Sequence, residues 1–320
     1  MYRIEKSKGR GVGVAIYTHV GKEKTWLDYL FNVLVYTFFA LFTLLCVFPF
    51  YYLIINSISA NDLSARGEIM FYPMKIHFKN YFDALRIPGL SDAALVSVGR
   101  TGLGTLGTLV GSSFLGFMFT QQKLWMRKFW YRYTVATMYF SAGLIPWFLN
   151  MRTLGLTNNF FAYVLPAIVQ PFNLILIKTY IENTPIELQE AAEIDGAGIL
   201  RIYGQIVIPL CTPILGTVAI FSAVGQWNAF QDTLILMTDQ KLYSLQFTLW
   251  KYLQEARSLA AMIQSSSGEI SDALITAATR QTPTSVQMTI SVVVVLPILF
   301  VYPVFQRFFV KGIMIGAVKG

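Results

Sequence analysis

The sequence predicts an all-α integral membrane protein with six transmembrane helices, and three observations support this fold class. Of its 320 residues, 55% are apolar and only 13% are charged, whereas a soluble domain usually carries about 25% charged residues. Long stretches without Asp, Glu, Lys or Arg recur along the chain, and a helix of about 20 apolar residues can cross the hydrocarbon core of a bilayer. The Lys and Arg residues behind the net charge of +8 are concentrated in the tails and in one short connection. This distribution is typical of membrane proteins and gives no indication of a nucleic-acid partner.

The charge-free stretches define the predicted elements in chain order. Spans are predicted at residues 29–61, 101–122, 133–151, 153–177, 202–231 and 281–306. The chain then divides into an N-terminal tail (1–28), the first span with its external loop (29–92), a core of five spans (93–306) and a C-terminal tail (307–320).

The basic residues predict the orientation of these spans. Residues 123–132, between the second and third spans, hold four basic and no acidic residues. Further Lys and Arg residues lie in both tails. Because short loops rich in Lys and Arg stay in the cytoplasm, both termini and the loop 178–209 are predicted to be cytoplasmic. The loops 62–96 and 232–280 are then predicted to be external.

The predicted spans contain no carboxylate, Lys or Arg in their middles. Proton- and sodium-coupled carriers usually keep such groups within the membrane, so their absence argues against a carrier that supplies its own driving force. The chain also lacks the G-x-x-x-x-G-K-[ST] phosphate-binding loop, and no constellation of catalytic or metal-ligating residues is evident. The energy for any transport is therefore expected to come from a partner, and no catalytic residue or metal site is predicted.

The loop 178–209 is predicted to contain two short helices. Thr184, Pro185 and Glu187 form a capping-box pattern at the start of the first helix. Gly196 is expected to end that helix, and a second helical run over 199–207 leads into the fifth span.

The surface chemistry of this loop favours a protein partner. Ala191 and Ala192 are small enough for close docking, and the neighbouring carboxylates offer acceptors to Arg or Lys of a partner. A helix lying on the membrane surface is the alternative, but such helices usually carry a basic polar face and this one is acidic.

The same loop resembles the EAA loop of ABC importer permeases, whose pattern is E-A-A-x3-G-x9-I-x-L-P. The matching positions are Glu190, Ala191, Ala192, Gly196, Ile206 and Pro209, with Ile208 where the pattern has Leu. Shorter matches at 143–146, 154–156, 194–197 and 227–228 resemble sugar-importer permeases related to the maltose permease MalG. The last eleven residues, 310–320, are most similar to the LplC/YtcP-type branch, which is associated with oligosaccharides and polysaccharides. The resemblance covers residues 29–320.

The resemblance implies a MalG-like permease fold in a bacterial cytoplasmic membrane, with a homologous second permease, a cytoplasmic ATPase dimer and an extracytoplasmic solute-binding protein as partners. ATP and Mg²⁺ would be bound by the ATPase, so no cofactor is expected in this chain. The residues implied in coupling to the ATPase are Glu187, Glu190, Ala191, Ala192, Asp195, Gly196 and Ala197. The C-terminal residues implied in contact with the ATPase are Lys311, Gly312, Gly316 and Lys319.

Polar and aromatic residues within the spans are candidates for a sugar path. A path for sugars needs hydrogen-bonding groups in a mostly apolar wall, although buried amides also serve helix packing. The candidates are Asn56, Tyr139, Asn173, Gln226, Trp227 and Asn228. Two further patterns are interpreted as structural. Gly107 and Gly111 predict a close helix contact, with a substrate path as the alternative. The apolar spacing over 245–263 predicts an external helix packed on the bundle, and the resemblance implies, as the alternative, that this loop faces the solute-binding protein.

The sequence therefore predicts a non-catalytic permease subunit that forms half of the pathway of an ATP-driven oligosaccharide importer. An importer of the same mechanism for a peptide or a polyamine stays open as an alternative. A channel and a membrane-embedded hydrolase are the alternatives from other classes.

Overall fold

The computed structural model describes residues 26–265 and 287–300, and within these ranges the regular structure is entirely helical. The α-helices are α1 Trp26–Ser57, α2 Asn61–Ala65, α3 Lys79–Leu85, α4 Leu90–Met118, α5 Arg127–Tyr139, α6 Leu144–Thr153, α7 Pro171–Glu182, α8 Glu187–Ile194, α9 Ile199–Ile202, α10 Ile208–Leu210, α11 Thr212–Asn228, α12 Gln231–Leu236, α13 Leu245–Ser265 and α14 Gln287–Phe300. Three 3₁₀ turns, Phe160–Tyr163, Leu165–Ala167 and Gln240–Leu242, and one π-helical segment, Tyr203–Val207, connect them.

The chain forms two compact units, the first ending at Tyr52 and the second beginning at Leu53. The described part of the first unit is the long helix α1 up to Tyr52. Its apolar side chains are exposed on all sides, and the Thr43 hydroxyl donates to the carbonyl of Phe39 one turn earlier. Such a helix satisfies its own polar groups and presents an apolar surface, as a lipid environment requires.

Two helices, α1 and α4, are each long and apolar enough to span a membrane. The number becomes up to four if two bent pairs each count as one span. These pairs are residues 160–167 with α7, bent by 40°, and residues 199–210 with α11, bent by 82°. The described residues thus support a helical membrane protein, whereas the number of six spans stays a prediction.

The charge-free criterion placed the second span too late in the chain. It put the start at residue 101, but α4 begins at Leu90 and includes Arg100. The expectation of spans without ionisable groups in their interior is therefore wrong for α4. A helix tolerates one buried cation when the protein supplies its partners, and a count of charges alone cannot detect that compensation.

The predicted third to fifth spans are each interrupted. An extended residue, Phe140, ends α5, and Gly143 at φ +87° precedes α6, so 133–151 is not one helix. The predicted fourth span begins with 3₁₀ turns, and its regular helix is α7. The fifth span bends beside Cys211, and Gln231 belongs to the separate helix α12. The helix predicted over 245–263 is confirmed as α13.

Helix α4 is the centre of the second unit and packs against α7, α11 and α13. Glycines on α4 make this packing possible. A Cβ atom added at Gly104 would lie 2.7 Å from Nε2 of Gln226, and one added at Gly111 would lie 2.7 Å from the carbonyl oxygen of Ile168. These distances are shorter than van der Waals contact, so the neighbours approach α4 as closely as they do because side chains are absent there.

Candidate functional site

The first candidate region is the segment 187–210, here called the elbow, which comprises α8, the turn at Gly196, α9, the π-helical segment and α10. Gly196 has φ +79°, a left-handed conformation that glycine adopts without strain. The amide of Gly196 donates to the carbonyl of Glu193, and that of Ala197 donates to Ala192. The predicted glycine break is therefore confirmed, and it closes α8 with a tight turn.

The predicted capping box at the start of α8 is wrong. The hydroxyl of Thr184 donates to the carbonyl of Ile181 at 2.6 Å, so it closes the end of α7 instead. The residue before α8 is Ile186, which makes no side-chain cap. Its carbonyl accepts from the amides of Gln189 and Glu190, and this backbone turn starts the helix.

One face of the elbow docks onto the protein core. Ala192 and Ala197 pack against a buried cluster formed by Phe117, Ile177, Ile181, Ile202, Val207, Cys211 and Val218. The ammonium of Lys123 lies 2.6 Å from the carboxylate of Glu193, and Gln121 donates to Gln189 at 3.2 Å. The cluster includes residues of α4, α7 and α11, so the elbow packs against side chains from three other helices.

The opposite face of the elbow is apolar, acidic and open. The side chain of Ile194 is 86% exposed, and Leu188, Ile199 and Leu200 are exposed as well. The carboxylates of Glu187, Glu190 and Asp195 are also exposed and form no ion pair with any described residue. An exposed apolar patch rimmed by charges is the usual composition of a protein–protein interface.

The elbow joins α11 through an irregular connection. The π-helical segment contains Tyr203, whose hydroxyl lies 2.7 Å from Oγ of Ser113 on α4 and whose ring packs against Phe114 and Phe117. Pro209 and the 82° bend follow before α11 begins. π-helical turns frequently mark functional positions, and this one lies between α9 and the bend that precedes α11.

The second candidate region is a buried polar cluster around Arg100 on α4. The guanidinium, 2% exposed, forms a two-bond ion pair with the carboxylate of Asp232 at the start of α12. It also donates to the side-chain oxygen of Gln226 and to the carbonyl of Ala229. Its carbon lies 4.2 Å from the ring centre of Tyr163. The cluster thus ties α4 to the end of α11 and to the turn beyond it.

Two cavities adjoin this cluster. The Asn173 cavity, of about 410 Å³, extends from Asn173 and Phe221 to Gln226. The Asn228 cavity, of about 480 Å³, extends from Leu144 and Asn228 to Gln231. Trp147, Ala229 and Asp232 line both cavities. The two spaces are therefore neighbours, and Asp232 lies where they meet.

The six predicted path residues divide into three groups. Asn173 and Gln226 line the first cavity, and Asn228 lines the second. Asn56 accepts from Ser64 and donates to the carbonyl of Ile69, and Trp227 donates to the carbonyl of Val294, so both take part in packing. Tyr139, at the end of α5, is 84% exposed. A role in binding sugar stays a prediction for all six.

Sequence reasoning missed Arg100, Asp232 and Trp147 as residues of the site. Arg100 lies at the edge of a charge-free stretch, where the sequence pattern indicates the boundary of a span. Arg100 and Asp232 are 132 positions apart in the chain, so only the folded structure shows that they form an ion pair. The predicted contact residues of the C-terminal tail, at 311–319, lie outside the described residues.

Comparisons with known proteins find relatives that match most of the length of this chain. No family model matches the chain. The polygalacturonan/rhamnogalacturonan transport system permease protein YtcP of Bacillus subtilis (strain 168) is 31% identical over 291 residues, which cover 91% of this chain and 99% of that protein. Protein LplC of the same organism is 30% identical over 274 residues, which cover 86% and 90% of the two chains.

A third relative and a solved structure extend the comparison. The arabinooligosaccharides transport system permease protein AraQ of Halalkalibacterium halodurans is 26% identical over 291 residues, or 88% of this chain and 94% of the relative. One chain in the crystal structure of a bacterial ABC transporter involved in the import of the acidic polysaccharide alginate has a TM-score of 0.78 and 26% sequence identity. The match covers 90% of this chain and 99% of that chain.

Proposed function

We propose, because this chain belongs to the family of carbohydrate ABC importer permeases, that it forms half of the pathway through which an oligosaccharide or polysaccharide enters the cell. The chain is a transport subunit and not an enzyme, since permeases of this family leave ATP hydrolysis to a separate ATPase. In this proposal its partners are a homologous second permease, a cytoplasmic ATPase dimer, which binds ATP and Mg²⁺, and an extracytoplasmic solute-binding protein.

The geometry of the elbow is the observation that carries the proposal. It combines a short helix, an exposed apolar face whose carboxylates form no ion pair with any described residue, and an opposite face packed on the core at Ala192 and Ala197. Docking of a partner with a basic rim on the exposed face would bury Ile194 and pair Glu190. A rigid movement of that partner would then displace the core cluster and, through it, α4 and α11.

The proposed topology has six spans with both termini in the cytoplasm. The basic connection around Lys123 supports this orientation, and its contact with Glu193 places that connection beside the elbow. The spans are α1, α4, α5 with α6, the bent pair ending in α7, the bent pair ending in α11, and the segment that contains α14. In this arrangement α13 and the start of α12 face outward, towards the binding protein.

The proposed cargo is a carbohydrate because the relatives have carbohydrate cargoes. Their names specify polygalacturonan or rhamnogalacturonan and arabinooligosaccharides, and the solved structure is of an alginate importer. The two cavities beside Asp232 fit this class, since both are lined by amide side chains and aromatic rings in a partly apolar wall.

Two substitutions in the elbow test the coupling role. Glu190→Arg reverses a charge on the exposed face, and Gly196→Pro forces φ away from +79°. Both variants are expected to assemble normally and to hydrolyse ATP, but to lose at least about tenfold in carbohydrate uptake per ATP. Uptake and hydrolysis are measured in proteoliposomes that contain the complete importer and its binding protein. Asp83→Arg, the same reversal on the exposed helix α3, is the matched control. Normal uptake by both elbow variants would refute the coupling assignment.

A further inference from the structure

The hydrogen-bonding capacity of Arg100 is fully used within the protein. A guanidinium has five N–H donors. Nε donates to Gln226, Nη1 donates to Ala229 and Asp232, and Nη2 donates to Gln226 and Asp232. These five contacts account for every donor. Although Arg100 contributes to the wall of the Asn173 cavity, it has no N–H group left with which to bind an anionic ligand.

Asp232, in contrast, retains one acceptor position. A carboxylate offers about four lone-pair positions. Oδ1 accepts from Arg100 and from the backbone amide of Thr233, and Oδ2 accepts from Arg100. Among the described residues nothing else donates to Oδ2, and the side chain is 19% exposed where the two cavities meet. A ligand at this point can therefore donate a hydrogen bond to Oδ2 of Asp232. It cannot accept one from Arg100, whose N–H groups are all used within the protein.

The geometry points to Asp232 as a substrate contact that accepts a hydrogen bond from a sugar hydroxyl and disfavours a sugar carboxylate, with Arg100 as its positioning residue. A hydroxyl can donate to Oδ2, whereas a uronate carboxylate would bring a second negative charge to an acceptor-only group. Trp147 and Phe230 line the Asn228 cavity and add apolar aromatic surface to its wall, which suits the apolar side of a sugar ring. This inference rests on the proposed function and narrows it: at this position of the pathway the passing sugar presents a hydroxyl.

Arg100 keeps the acceptor in place. It fixes both oxygens of Asp232 and also holds Gln226, whose amide donates to the carbonyl of Tyr163 at 3.1 Å. Gly104 leaves the space that Gln226 occupies, because a Cβ atom there would lie 2.7 Å from its Nε2. The position of the Asp232 carboxylate is thus fixed by a hydrogen-bond network that connects α4, α11 and α12.

Two disaccharides that differ at one position test this inference. Galactobiose and digalacturonate have the same linkage and differ only at C6, which carries a hydroxymethyl group or a carboxylate. Their equilibrium binding is measured on the assembled importer in nanodiscs, with both permeases and the ATPase but without the binding protein. Wild type is expected to bind galactobiose at least about tenfold more tightly. Asp232→Asn removes the negative charge and leaves the cation behind it, so this preference should fall by about tenfold or reverse.

The controls separate this inference from the proposed function. Asp92→Asn changes an exposed carboxylate in the first turn of α4 and should leave the preference at the wild-type value. If Asp232→Asn does not assemble, Arg100→Gln combined with Asp232→Asn removes both charges and should make the two affinities about equal. An unchanged preference in the Asp232 variants, a wild-type preference for digalacturonate, or no binding of either sugar would overturn the inference. ATP-driven uptake by the same wild-type complex tests the proposed function separately.

Discussion

The close approach of α4 to the turn before α7 predicts opposite effects of alanine at two glycines of one helix. At Gly111 a new Cβ atom would lie 2.7 Å from the carbonyl oxygen of Ile168 and 2.6 Å from its Cγ2. The carbonyl belongs to the backbone, so the turn must move by about 1 Å to restore normal contact. At Gly102, on an exposed part of α4, a Cβ atom would meet nothing within 4 Å. The two substitutions are chemically identical and differ only in this contact.

The magnitudes follow from the contacts that must change. Overpacking costs about 1–3 kcal/mol, and moving the turn stretches the 2.7 Å bond from Thr108 to the carbonyl of Ala167, which is worth about 1 kcal/mol. Replacing a helical glycine by alanine stabilises the helix by up to about 1 kcal/mol. Gly111→Ala should therefore destabilise by about 1–3 kcal/mol, whereas Gly102→Ala should be neutral or stabilise by up to about 1 kcal/mol.

Thermal unfolding of the two purified variants in the same detergent, followed by loss of monodispersity, measures the difference. The midpoint for Gly111→Ala should fall clearly below that of wild type, and the midpoint for Gly102→Ala should not. Equal midpoints for the two variants would refute the close packing of α4 against residues 165–168.

Two further substitutions test individual contacts by the same unfolding measurement. Tyr163→Phe removes the hydroxyl that donates to the carbonyl of Leu242 at 2.7 Å and lies 3.0 Å from the hydroxyl of Thr233, from which it can accept, and the buried groups left unpaired should cost about 1–3 kcal/mol. A midpoint within error of wild type would contradict that network. Lys123→Gln removes the 2.6 Å pair with Glu193, but the two side chains are 79% and 42% exposed, so the loss should stay below about 1 kcal/mol. A larger loss would mean that this pair, and not the core cluster, holds α8 in place.

The sequence is sufficient to predict the elbow because its information is local. Gly196 alone specifies a break, and the acidic and apolar residues before it specify an exposed amphipathic helix. Helices α1 and α13 follow from their composition and spacing in the same way. The capping-box prediction is wrong because the Thr184 hydroxyl donates back to the carbonyl of Ile181, and this choice depends on the path of the chain after α7 and not on the local residue types.

The polar cluster could not be predicted because its information is not local. Arg100 and Asp232 look like ordinary loop charges when each is considered with its sequence neighbours. Their burial is tolerated only because Gln226, Ala229 and Thr233 complete the hydrogen bonds around them. The breaks at Phe140 and Cys211 could not be predicted either. Apolar composition indicates how long a membrane-embedded stretch is, but it does not indicate where the helix axis bends.

A photocrosslinking residue at Ile194, the most exposed apolar side chain of the elbow at 86%, tests most directly whether a cytoplasmic ATPase binds there. The complete importer carrying the probe is illuminated in native membranes, and a probe at Leu154, which is 61% exposed after α6, is the control. Binding of the ATPase at the elbow predicts a crosslink from residue 194 to the ATPase subunit and none from residue 154. A crosslink from residue 194 to the solute-binding protein, or labelling of a cysteine at that position by a membrane-impermeant reagent added outside intact cells, would contradict it.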